Sequence, residues 1–380
     1  MDLSVILVSL NGRDMTLDCL STVAAAAGTL SHEIILVDNG STDGTADAAA
    51  KAYPAVRVIR NGENRGYGPA ANQGMREASG RILALVNNDT RLPADSLRAL
   101  VDFLDRTPAC AVVGPQLLHE DGRIQHSFDV EPGLATELFN KSLLRRLRPG
   151  AYPSRLQARS EPFEVDNLVG ACFVLRREAG ERLGGFDETF FYLYEETDFC
   201  LRARAQGWKV MVHPGVQIVH LQGRTRRGVR VRAKIEQARS RFAYFRKHHP
   251  VQHVALRILS PVKSLLESAV WGAVTLVTFG LWERPRRRFS ESLAVLGWQI
   301  LLCPRRLGLD RRVSIPRKLR VGDNVRVTEG AFEDFEGVVK KIDPRIVSVV
   351  ITTFGKGTTV ELEHRQLARI KAPTRDMGNA

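Results

Sequence analysis

Short apolar runs and helical patterns alternate along the first 222 residues of the chain. Apolar runs rich in β-forming residues predict four strands, at Ser4–Ser9, His32–Val37, Arg57–Asn61 and Arg81–Val86. Apolar residues at helical spacing predict helices between them, at Asp14–Ala26, from a Ser41-Thr42-Asp43 cap to about Lys51, and at Pro69–Ser79. Strands that alternate with helices are typical of βαβ units, so we expect an α/β fold with a largely parallel sheet.

The pattern changes twice after residue 222. Residues 223–318 are predicted to be helical, and residues 319–370 contain short β runs separated by turns, which predicts a small all-β barrel. We therefore expect four segments, 1–225, 226–318, 319–372 and a disordered tail at 373–380.

The positive charge of the chain is concentrated in the helical segment. The whole chain has a net charge of +13, but residues 223–318 alone hold 22 Lys and Arg against 5 Asp and Glu, a net charge of +17. Residues 1–222 hold 23 basic and 28 acidic residues. The basic residues flank apolar stretches and are not mixed with aromatic groups on a compact fold, so the sequence disfavours a nucleic-acid-binding protein.

Two uncharged apolar stretches lie inside this basic segment. Ser268–Trp282 has 15 residues and Leu293–Cys303 has 11, and both are shorter than the roughly 20 apolar residues that span a bilayer as a helix. An arginine cluster, Arg284 and Arg286 to Arg288, lies between them. We expect an interfacial or re-entrant helical hairpin on an anionic membrane surface. The alternative is a soluble helical pair packed on the first domain, with a solvated basic face.

Length and composition limit the remaining possibilities. A chain of 380 residues predicts two or three folded units, and 44% hydrophobic with 26% charged residues excludes a disordered or collagen-like chain. The five cysteines are odd in number and contain no CxxC pair, which argues against a disulfide framework or a thiolate zinc site and favours a reducing compartment. The apolar stretch Met1–Leu10 has no basic lead-in and no cleavage site, so it predicts a buried strand and not an export signal.

Polar residues follow the first, second and fourth predicted strands. They are Ser9 and Asn11, then Asp38 and Asp43, then Asn87-Asn88-Asp89. Open parallel sheets bind ligands at the carboxyl ends of their strands. A carboxylate there accepts hydrogen bonds from a base or ribose, and a carboxylate beside asparagine oxygens suits a divalent cation that shares a diphosphate. Each feature alone is also typical of a helix cap or a β-turn.

The order and spacing of these residues resemble an enzyme family. Family 2 glycosyltransferases, which adopt the GT-A fold, begin with sequences similar to VILVSLNGRDMTLDCLSTV, EIILVDNGSTDGT and NRGYGPAANQGMREASGRILALVNNDT. Their bacterial rhamnosyltransferase-type branch resembles VDNLVGACFVLRREAGERLGGFDETFFYLYEETDFCLRARAQGWKVMVHPGVQIVHLQGRT. The resemblance covers roughly residues 3–225.

The resemblance implies a nucleotide-sugar site with a divalent metal, Mg²⁺ or Mn²⁺. The residues that would line the nucleotide pocket are Ser9, Asn11, Asp38 and Asp43, with Asn64, Gly66 and Asn72 beneath the base and ribose. The family's Asp-x-Asp element is replaced by Asn87-Asn88-Asp89, so Asp89 carries most of the metal binding. His220 matches a histidine that closes over the metal or the pyrophosphate; its alternative is a buried strand-end histidine.

The resemblance also implies a general base. Glu195-Glu196-Thr197-Asp198 opens a predicted helix and is similar to the family's Glu-Asp-x-Asp signature. Glu196 takes the position of the base that removes the proton from the acceptor hydroxyl in an inverting transfer. Glu195 remains an alternative, and Asp198 either assists catalysis or braces the helix through Arg202. Acidic residues at a helix start also simply suit the helix dipole.

Two further groups have open roles. One group is aromatic and could either form a platform for the acceptor or pack in the core: Phe190, Phe191, Tyr192 and Tyr194. The other group is basic and could either bind the donor or a lipid pyrophosphate, or contact a membrane: Arg224, Arg226 and Arg227.

The C-terminal β region resembles a second family. The KOW-type SH3-like barrel of bacterial transcription antitermination factors is similar to VGDNVRVTEGAFEDFEGVVKKIDPRIVSVVITTFGKGTTVELEHRQLARI. The resemblance implies a docking module for a protein partner, with Phe332, Phe335 and Phe354 either as contacts or as barrel core. The net charge of +1 over residues 319–380 gives no indication of a phosphate-driven RNA site, so we expect no nucleic-acid partner.

Two hypotheses about function follow. The first is a metal-dependent, inverting glycosyltransferase at the cytoplasmic face of the cell membrane, which moves a sugar from a nucleotide diphosphate to a lipid-linked or cell-envelope saccharide acceptor; the resemblance favours rhamnose. The second is a catalytically weak scaffold whose KOW domain docks a transcription or translation partner. Intact Asp38, Asp89, Glu196 and His220 favour the first. A nucleotidyltransferase is disfavoured, because the first loop lacks the expected glycine-rich sequence with Arg and Lys.

Overall fold

The structure of the protein is a computed structural model. It describes residues 1–221, 230–279, 281–301, 308–309, 321–322, 324–327, 336–342, 346–353, 356–363 and 367–369. The chain forms two compact units, Met1–Leu302 and Cys303–Ala380.

The first unit is built on a mixed nine-stranded sheet. Its main path consists, in spatial order, of β3 (Arg57–Arg60), β2 (His32–Asp38), β1 (Leu3–Ser9), β4 (Ile82–Asn87), β10 (Cys172–Arg176), β6 (Cys110–Leu118), β11 (Lys209–His220) and β5 (Thr90–Arg91). Its ninth strand, β8 (Phe163–Glu164), pairs with β11 off this path. A separate two-stranded sheet is formed by β7 (Phe128–Asp129) and β9 (Asn167–Leu168). The strands β3, β2, β1 and β4 are mutually parallel, as predicted, whereas β10 runs antiparallel to β4 and β6.

Helices cover this sheet and continue beyond it. Those that alternate with the strands are α1 (Arg13–Ala27), α2 (Thr45–Ala52), α3 (Tyr67–Glu77), α4 (Ser96–Arg106), α5 (Leu134–Leu138), α6 (Lys141–Leu147), α7 (Arg177–Leu183) and α8 (Glu195–Ala205). Those that follow the sheet are α9 (Arg230–His248), α10 (Pro250–Val277) and α11 (Glu283–Ile300), which confirms the predicted helical segment.

Alternate residues of the central strands face opposite layers of the core. In β1, Val5 and Leu7 belong to one buried cluster and Ile6 to the other. Side chains alternate between the two faces of a strand, and both sets are buried here. Both faces of the sheet are therefore covered. The apolar N-terminal run is therefore a buried strand, as predicted.

The helices after the sheet pack on one another and on the first part of the chain. Phe242 of α9 stacks on Trp298 of α11 with ring centroids 5.9 Å apart. Arg241 of α9 lies 3.3 Å from Glu137 of α5. Among the described residues, no helix combines the length and the apolar character needed to cross a bilayer.

The second unit contains an antiparallel five-stranded sheet. Its strands are β12 (Asn324–Val327), β13 (Glu336–Ile342), β14 (Ile346–Thr353), β15 (Lys356–Glu363) and β16 (Leu367–Arg369), in the order β15-β14-β13-β12-β16. Val325, Val349 and Leu367 belong to its buried cluster. The predicted all-β C-terminal region is confirmed. Phe332, Phe335, Phe354 and the predicted tail at 373–380 lie outside the described residues.

Candidate active site

The parallel strands bring three predicted site residues to one edge of the sheet. Ser9 pairs with Asp38 across β1 and β2, and the neighbouring Val8 pairs with Asn87 across β1 and β4. Asp38 is buried, and its Oδ1 accepts a hydrogen bond from the backbone N–H of Ser41 at 3.2 Å. The carboxyl ends of three parallel strands therefore meet at the edge where such sheets bind ligands.

Ser9 and Asn88 form a buried polar contact beside this edge. Asn88 Nδ2 donates to Ser9 Oγ at 3.1 Å and to Thr16 Oγ1 at 3.0 Å, and the two hydroxyl oxygens are 2.8 Å apart. These contacts hold the end of β1 and the residues after β4 together next to the site.

Asn11 and Asp43 organise the loop after β2. Asn11 has a left-handed backbone with a φ of 51°, and its Oδ1 accepts a hydrogen bond from the N–H of Thr42 at 2.8 Å. Asp43 accepts hydrogen bonds from the N–H groups of Arg13 at 3.0 Å and Thr45 at 3.1 Å. Partial burial opposes ionisation of Asp43, but the hydrogen bonds from Thr45 and from the backbone lower its pKa. Asp43 is thus a carboxylate that joins this loop to the start of α1.

Asn39 is a site residue that the sequence motifs did not single out. Its Nδ2 donates to Asn64 Oδ1 at 3.0 Å and to the carbonyl oxygen of Gly66 at 3.1 Å, and its Oδ1 accepts from the N–H of Arg65 at 3.1 Å. Gly66 has a φ of 89°, and a Cβ there would lie 2.6 Å from the carbonyl oxygen of Phe191. Glycine is therefore required where this loop approaches the segment before α8. The signal for Asn39 was its place directly after Asp38 at the end of β2.

Asn72 lies on α3 and binds the loop before α8. Its Nδ2 donates to the carbonyl oxygen of Phe186 at 2.8 Å and to Glu188 Oε1 at 3.1 Å, while its Oδ1 accepts from the N–H of Phe186 at 2.8 Å. The side chain is buried. These contacts give Asn72 a bracing position, with its amide engaged by protein groups.

Asp89 and His220 lie together although they are far apart in sequence. His220 Nε2 is 3.4 Å from Asp89 Oδ1, and both side chains are about nine-tenths buried. The antiparallel pairing of β5 with β11 places His220 opposite Thr90, and the N–H of Leu221 donates to the carbonyl oxygen of Asp89 at 2.9 Å. The structure therefore brings together the two residues predicted to bind the metal.

Gln125 fixes the ring of His220. Gln125 Oε1 lies 2.6 Å from His220 Nδ1, and its Nε2 lies 3.1 Å from His119 Nδ1. Because the amide oxygen only accepts hydrogen bonds, Nδ1 of His220 donates to it, and the ring presents Nε2 toward Asp89. Gln125 lies outside the motifs that the sequence analysis identified, and no spacing pattern indicated it.

The pair formed by Asp89 and His220 suits a cation that is shared with a diphosphate. Within the described ranges, no group of three or more His, Cys, Asp and Glu side chains could hold a metal ion by itself. Mg²⁺ and Mn²⁺ both accept carboxylate oxygens, and Mg²⁺ usually completes its coordination with water and substrate phosphates. One carboxylate and one oriented imidazole therefore fit an ion that a nucleotide diphosphate helps to bind.

A cavity of about 430 Å³ opens beside His220. Its other lining residues are His119, Glu120, Asp121, Arg123 and Leu221. Charged side chains thus line the space beside His220.

Helix α8 begins with two carboxyl groups in different environments. Glu195 is buried, whereas Glu196 is half-buried. Burial raises the pKa of Glu195 well above its ordinary value, and the charge of Glu196, together with the hydrogen bond between the two side chains, raises it further. Burial thus favours the protonated form of Glu195, and Glu196, the more exposed residue of the pair, is the better candidate for a general base.

Gly170 and Tyr67 both border the two carboxyl groups. A Cβ on Gly170 would lie 2.8 Å from Glu196 Oε1, so the Glu196 side chain passes directly over the backbone of the turn before β10. Burial and the charges of Glu196 and Glu195 raise the pKa of Tyr67 well above its usual range. The charge of Asp89 acts on Tyr67 in the same direction. Tyr67 is thus within electrostatic range of both Glu196 and Asp89.

Asp198 is fully buried and surrounded by basic side chains. Its carboxylate lies 2.7 Å from Arg202 Nε, 2.6 Å from Lys247 Nζ and 2.7 Å from His248 Nε2. Lys247 and His248 belong to α9. Asp198 therefore joins α8 to α9, which favours the bracing role over a part in proton transfer.

The segment before α8 is mostly core. Phe190 and Phe191 are buried, whereas Tyr192 and Tyr194 are half-buried. Leu193 and Tyr194 have φ values of 66° and 78°, which are uncommon for residues with side chains. This backbone sets the direction in which α8 leaves the loop. The three arginines with an open role, Arg224, Arg226 and Arg227, lie outside the described residues.

Comparisons with known proteins identify relatives of both units. The model of the family described as Glycosyl transferase family 2 matches residues 4–184, and that of the KOW motif matches residues 321–352. The N-acetylglucosaminyl-diphospho-decaprenol L-rhamnosyltransferase of Mycobacterium tuberculosis (strains CDC 1551 / Oshkosh and ATCC 25618 / H37Rv) is 33% identical over 202 residues, which are 49% of this chain and 66% of that protein. The O-antigen biosynthesis protein RfbC of Myxococcus xanthus is 30% identical over 198 residues, 51% of this chain and 15% of that protein.

The chain thus spans slightly less than two thirds of the mycobacterial relative and a small part of the Myxococcus protein. Among solved structures, the mannosyltransferase PcManGT from Pyrobaculum calidifontis in complex with GDP-Man and Mn²⁺ has a TM-score of 0.49 and 19% identity, covering 79% of this chain and 86% of that chain. The family match lies on the mixed sheet and its flanking helices, and the KOW match lies on the β region of the second unit. The first unit of this chain therefore contains a domain that matches the family 2 glycosyltransferases over residues 4–184, on a mixed α/β sheet of the GT-A type, and a KOW motif follows it in the second unit.

Proposed function

We propose that the chain is an inverting, metal-dependent glycosyltransferase that uses Glu196 as its general base. The observation that carries this proposal is the pairing of Asp89 with His220 at 3.4 Å, beside the strand ends that hold Asp38 and Ser9. This pairing supports the binding of a nucleotide diphosphate through a shared cation.

Glu196 accepts the proton of the acceptor hydroxyl as that oxygen attacks the anomeric carbon of the donor sugar. Burial favours the protonated form of the neighbouring Glu195, and Gly170 leaves room for the Glu196 side chain. Attack from the face opposite the leaving group inverts the configuration at the anomeric carbon. Glu195 lacks the exposure that direct contact with an acceptor needs.

Asp89 and the Nε2 atom of His220 would hold Mg²⁺ or Mn²⁺. When bound, the ion supplies positive charge that neutralises the diphosphate leaving group. Gln125 keeps the histidine in the tautomer that can bind a cation. Asp38, at the end of β2, would accept hydrogen bonds from the nucleoside.

The mycobacterial relative suggests the donor and acceptor classes. Its name describes the transfer of L-rhamnose to N-acetylglucosaminyl-diphospho-decaprenol. We therefore propose a nucleotide diphosphate rhamnose as the donor and a lipid-linked saccharide as the acceptor, with a role in cell-envelope polysaccharide synthesis. With this donor and this acceptor, we propose that the enzyme acts at the inner face of the cell membrane. For the second unit we propose the docking of a protein partner, since its nearly balanced charge does not favour RNA.

A donor panel tests the proposed function. The purified chain is incubated with radiolabelled nucleotide sugars and a lipid-linked acceptor, with and without Mg²⁺ or Mn²⁺. We expect cation-dependent transfer from one donor, loss of cation-dependent nucleotide binding in Asp89→Ala, and retained donor binding with at least about 100-fold slower turnover in Glu196→Gln. Neither hydrolysis nor transfer with any donor would overturn the proposal and favour a scaffold. Near-normal turnover of Glu196→Gln would move the base to Glu195.

A further inference from the structure

Helix α10 exposes a continuous apolar stripe. Its exposed members recur every three or four residues and are Val251, Val254, Ile258, Val262, Leu265, Ala269, Ala273 and Leu276. Residues at this spacing share one helix face, and a helix of 28 residues is about 42 Å long. The charged residues of α10, Arg257, Lys263 and Glu267, fall outside the stripe. Soluble proteins rarely leave so long an apolar face open.

The buried face of α10 is mostly polar. Its buried residues are Leu256, Ser260, Ser264 and Ser268. Ser268 Oγ donates to Ser292 Oγ of α11 at 3.1 Å, and Gln299 Nε2 of α11 donates to Ser260 Oγ at 2.8 Å. Folding in water buries large apolar side chains and exposes serines. Small hydroxyl residues between helices, with apolar side chains pointing outward, are typical of helices that contact lipid.

Basic and aromatic residues lie at the connected ends of α10 and α11. Phe279 is 89% exposed and Trp282 65% exposed in the connection between α10 and α11. Directly after them, Arg284, Arg286 and Arg288 are exposed at the start of α11. Tryptophan and arginine are common at the head-group level of membranes. An arginine near an anionic surface contributes about 1 kcal/mol to binding.

The geometry points to the surface of a bilayer that contains anionic lipids as the partner of this face. Helix α10 lies in the plane of the interface with its stripe at the acyl boundary, and the arginines of α11 lie at the lipid phosphates. Asp198 joins α8 to α9, and α9 packs on α10 and α11. The distance from the bilayer surface to Glu196 at the start of α8 is therefore fixed by these contacts. This inference rests on the proposed function only in that a lipid-linked acceptor reaches the site from the same surface.

Vesicle flotation of the full chain, without donor or acceptor, tests this inference. We expect binding to vesicles of phosphatidylcholine with about 30% phosphatidylglycerol and much weaker binding to phosphatidylcholine alone. Ile258→Glu/Leu265→Glu should reduce binding to the anionic vesicles at least about tenfold, because it puts charge into the stripe. Arg284→Glu/Arg286→Glu should remove the preference for anionic lipid. The matched control is Leu147→Glu/Leu156→Glu, which changes two leucines that are 68% and 60% exposed elsewhere and should bind like the wild type.

The outcome separates a membrane from a second copy of the chain. Light scattering after size exclusion gives the mass of the wild type and of Ile258→Glu/Leu265→Glu. A wild-type dimer that becomes monomeric in this variant, without vesicle binding by either, would overturn the inference, and so would equal flotation of all the variants. Because no sugar transfer is measured, inactivity in the donor panel leaves this result unaffected.

Discussion

Gly170 lies directly beneath the carboxylate of Glu196. A Cβ at position 170 would be 2.8 Å from Oε1, 3.3 Å from Cδ and 3.6 Å from Cγ of Glu196. The two residues come from different elements, the turn before β10 and the first turn of α8. The absence of a side chain at 170 therefore decides where the proposed base can lie.

Gly170→Ala should slow sugar transfer without unfolding the protein. The new methyl group meets the end of a flexible side chain, so Glu196 shifts by about 1 Å while the backbone stays in place. Misplacement of a catalytic group by this amount costs up to about 100-fold in rate. Turnover is measured with saturating donor and acceptor, together with the thermal midpoint. Gly150→Ala is the control, since nothing lies within 4 Å of the added Cβ. Normal turnover in Gly170→Ala would place the base elsewhere.

Glu195→Gln should stabilise the protein at neutral pH. The folded pKa of Glu195 is raised above its ordinary value of 4.5, so between that pH and the folded pKa the native state binds more protons than the unfolded state. The stability of the wild type then falls as pH rises, by up to about 1.4 kcal/mol per pH unit for one proton. Glutamine does not titrate, and its amide can still donate to Glu196.

Urea unfolding at about pH 5 and pH 7 measures this difference. The gain of Glu195→Gln over the wild type should be larger at pH 7, and the exposed Glu181→Gln should show no such trend. An equal gain at both pH values would contradict the raised pKa. Retained turnover in Glu195→Gln would further separate this residue from the base.

The first half of the sheet follows directly from local sequence patterns. Predicted and observed strands agree closely, for example Ser4–Ser9 with Leu3–Ser9, because parallel strands buried on both faces are continuous apolar runs. The predicted cap of α2 was displaced, since Gly44 and not Asp43 is the N-cap. The polar residues after a strand have several possible partners, so local sequence does not determine which residue takes which role.

Tertiary contacts decide the parts of the site that sequence left open. Asp89 meets His220 only because the two-residue strand β5 pairs with the end of β11, and no periodicity marks so short a strand. Gln125 contacts His220 through its side chain, from a segment that carries no sequence motif. The sequence also shows that residues 268–282 are apolar, but only the structure shows that the serines of α10 lie on its buried face.

Gln125→Met should weaken metal binding through His220. Methionine has nearly the same volume but removes the oxygen that accepts from Nδ1 of His220, so the ring can rotate or change tautomer. Loss of such an orienting contact typically costs 10- to 100-fold in metal affinity. The affinity for Mn²⁺ is measured by electron paramagnetic resonance in the presence of a nucleoside diphosphate.

Gln116→Met provides the matched control for this effect. Gln116 is also buried and donates to Ser127 Oγ and to the carbonyl oxygen of Gln125, without touching His220. We expect a comparable loss of stability in both variants but weaker Mn²⁺ binding only in Gln125→Met. Equal Mn²⁺ affinities in the two variants would show that Gln125 does not orient the histidine.

Asp198→Asn should destabilise the protein by about 3 kcal/mol or more. The substitution keeps the size of the side chain but leaves Arg202, Lys247 and His248 without their shared, fully buried carboxylate. Removing one partner of a buried ion pair costs this much because the remaining charges stay partly desolvated. Asp187→Asn is the control: it removes the more exposed partner of Lys247 and should cost less.

The pH profile of turnover then distinguishes bracing from proton transfer by Asp198. If Asp198 only fixes α8 against α9, the folded fraction of Asp198→Asn should keep the acidic limb of the wild-type profile, since Glu196 still takes the proton. Its turnover should fall modestly and partly recover at lower temperature, where more of the α8–α9 contact is intact. A folded Asp198→Asn protein with no turnover at any pH, beside an active Glu196→Gln, would transfer the role of base from Glu196 to Asp198.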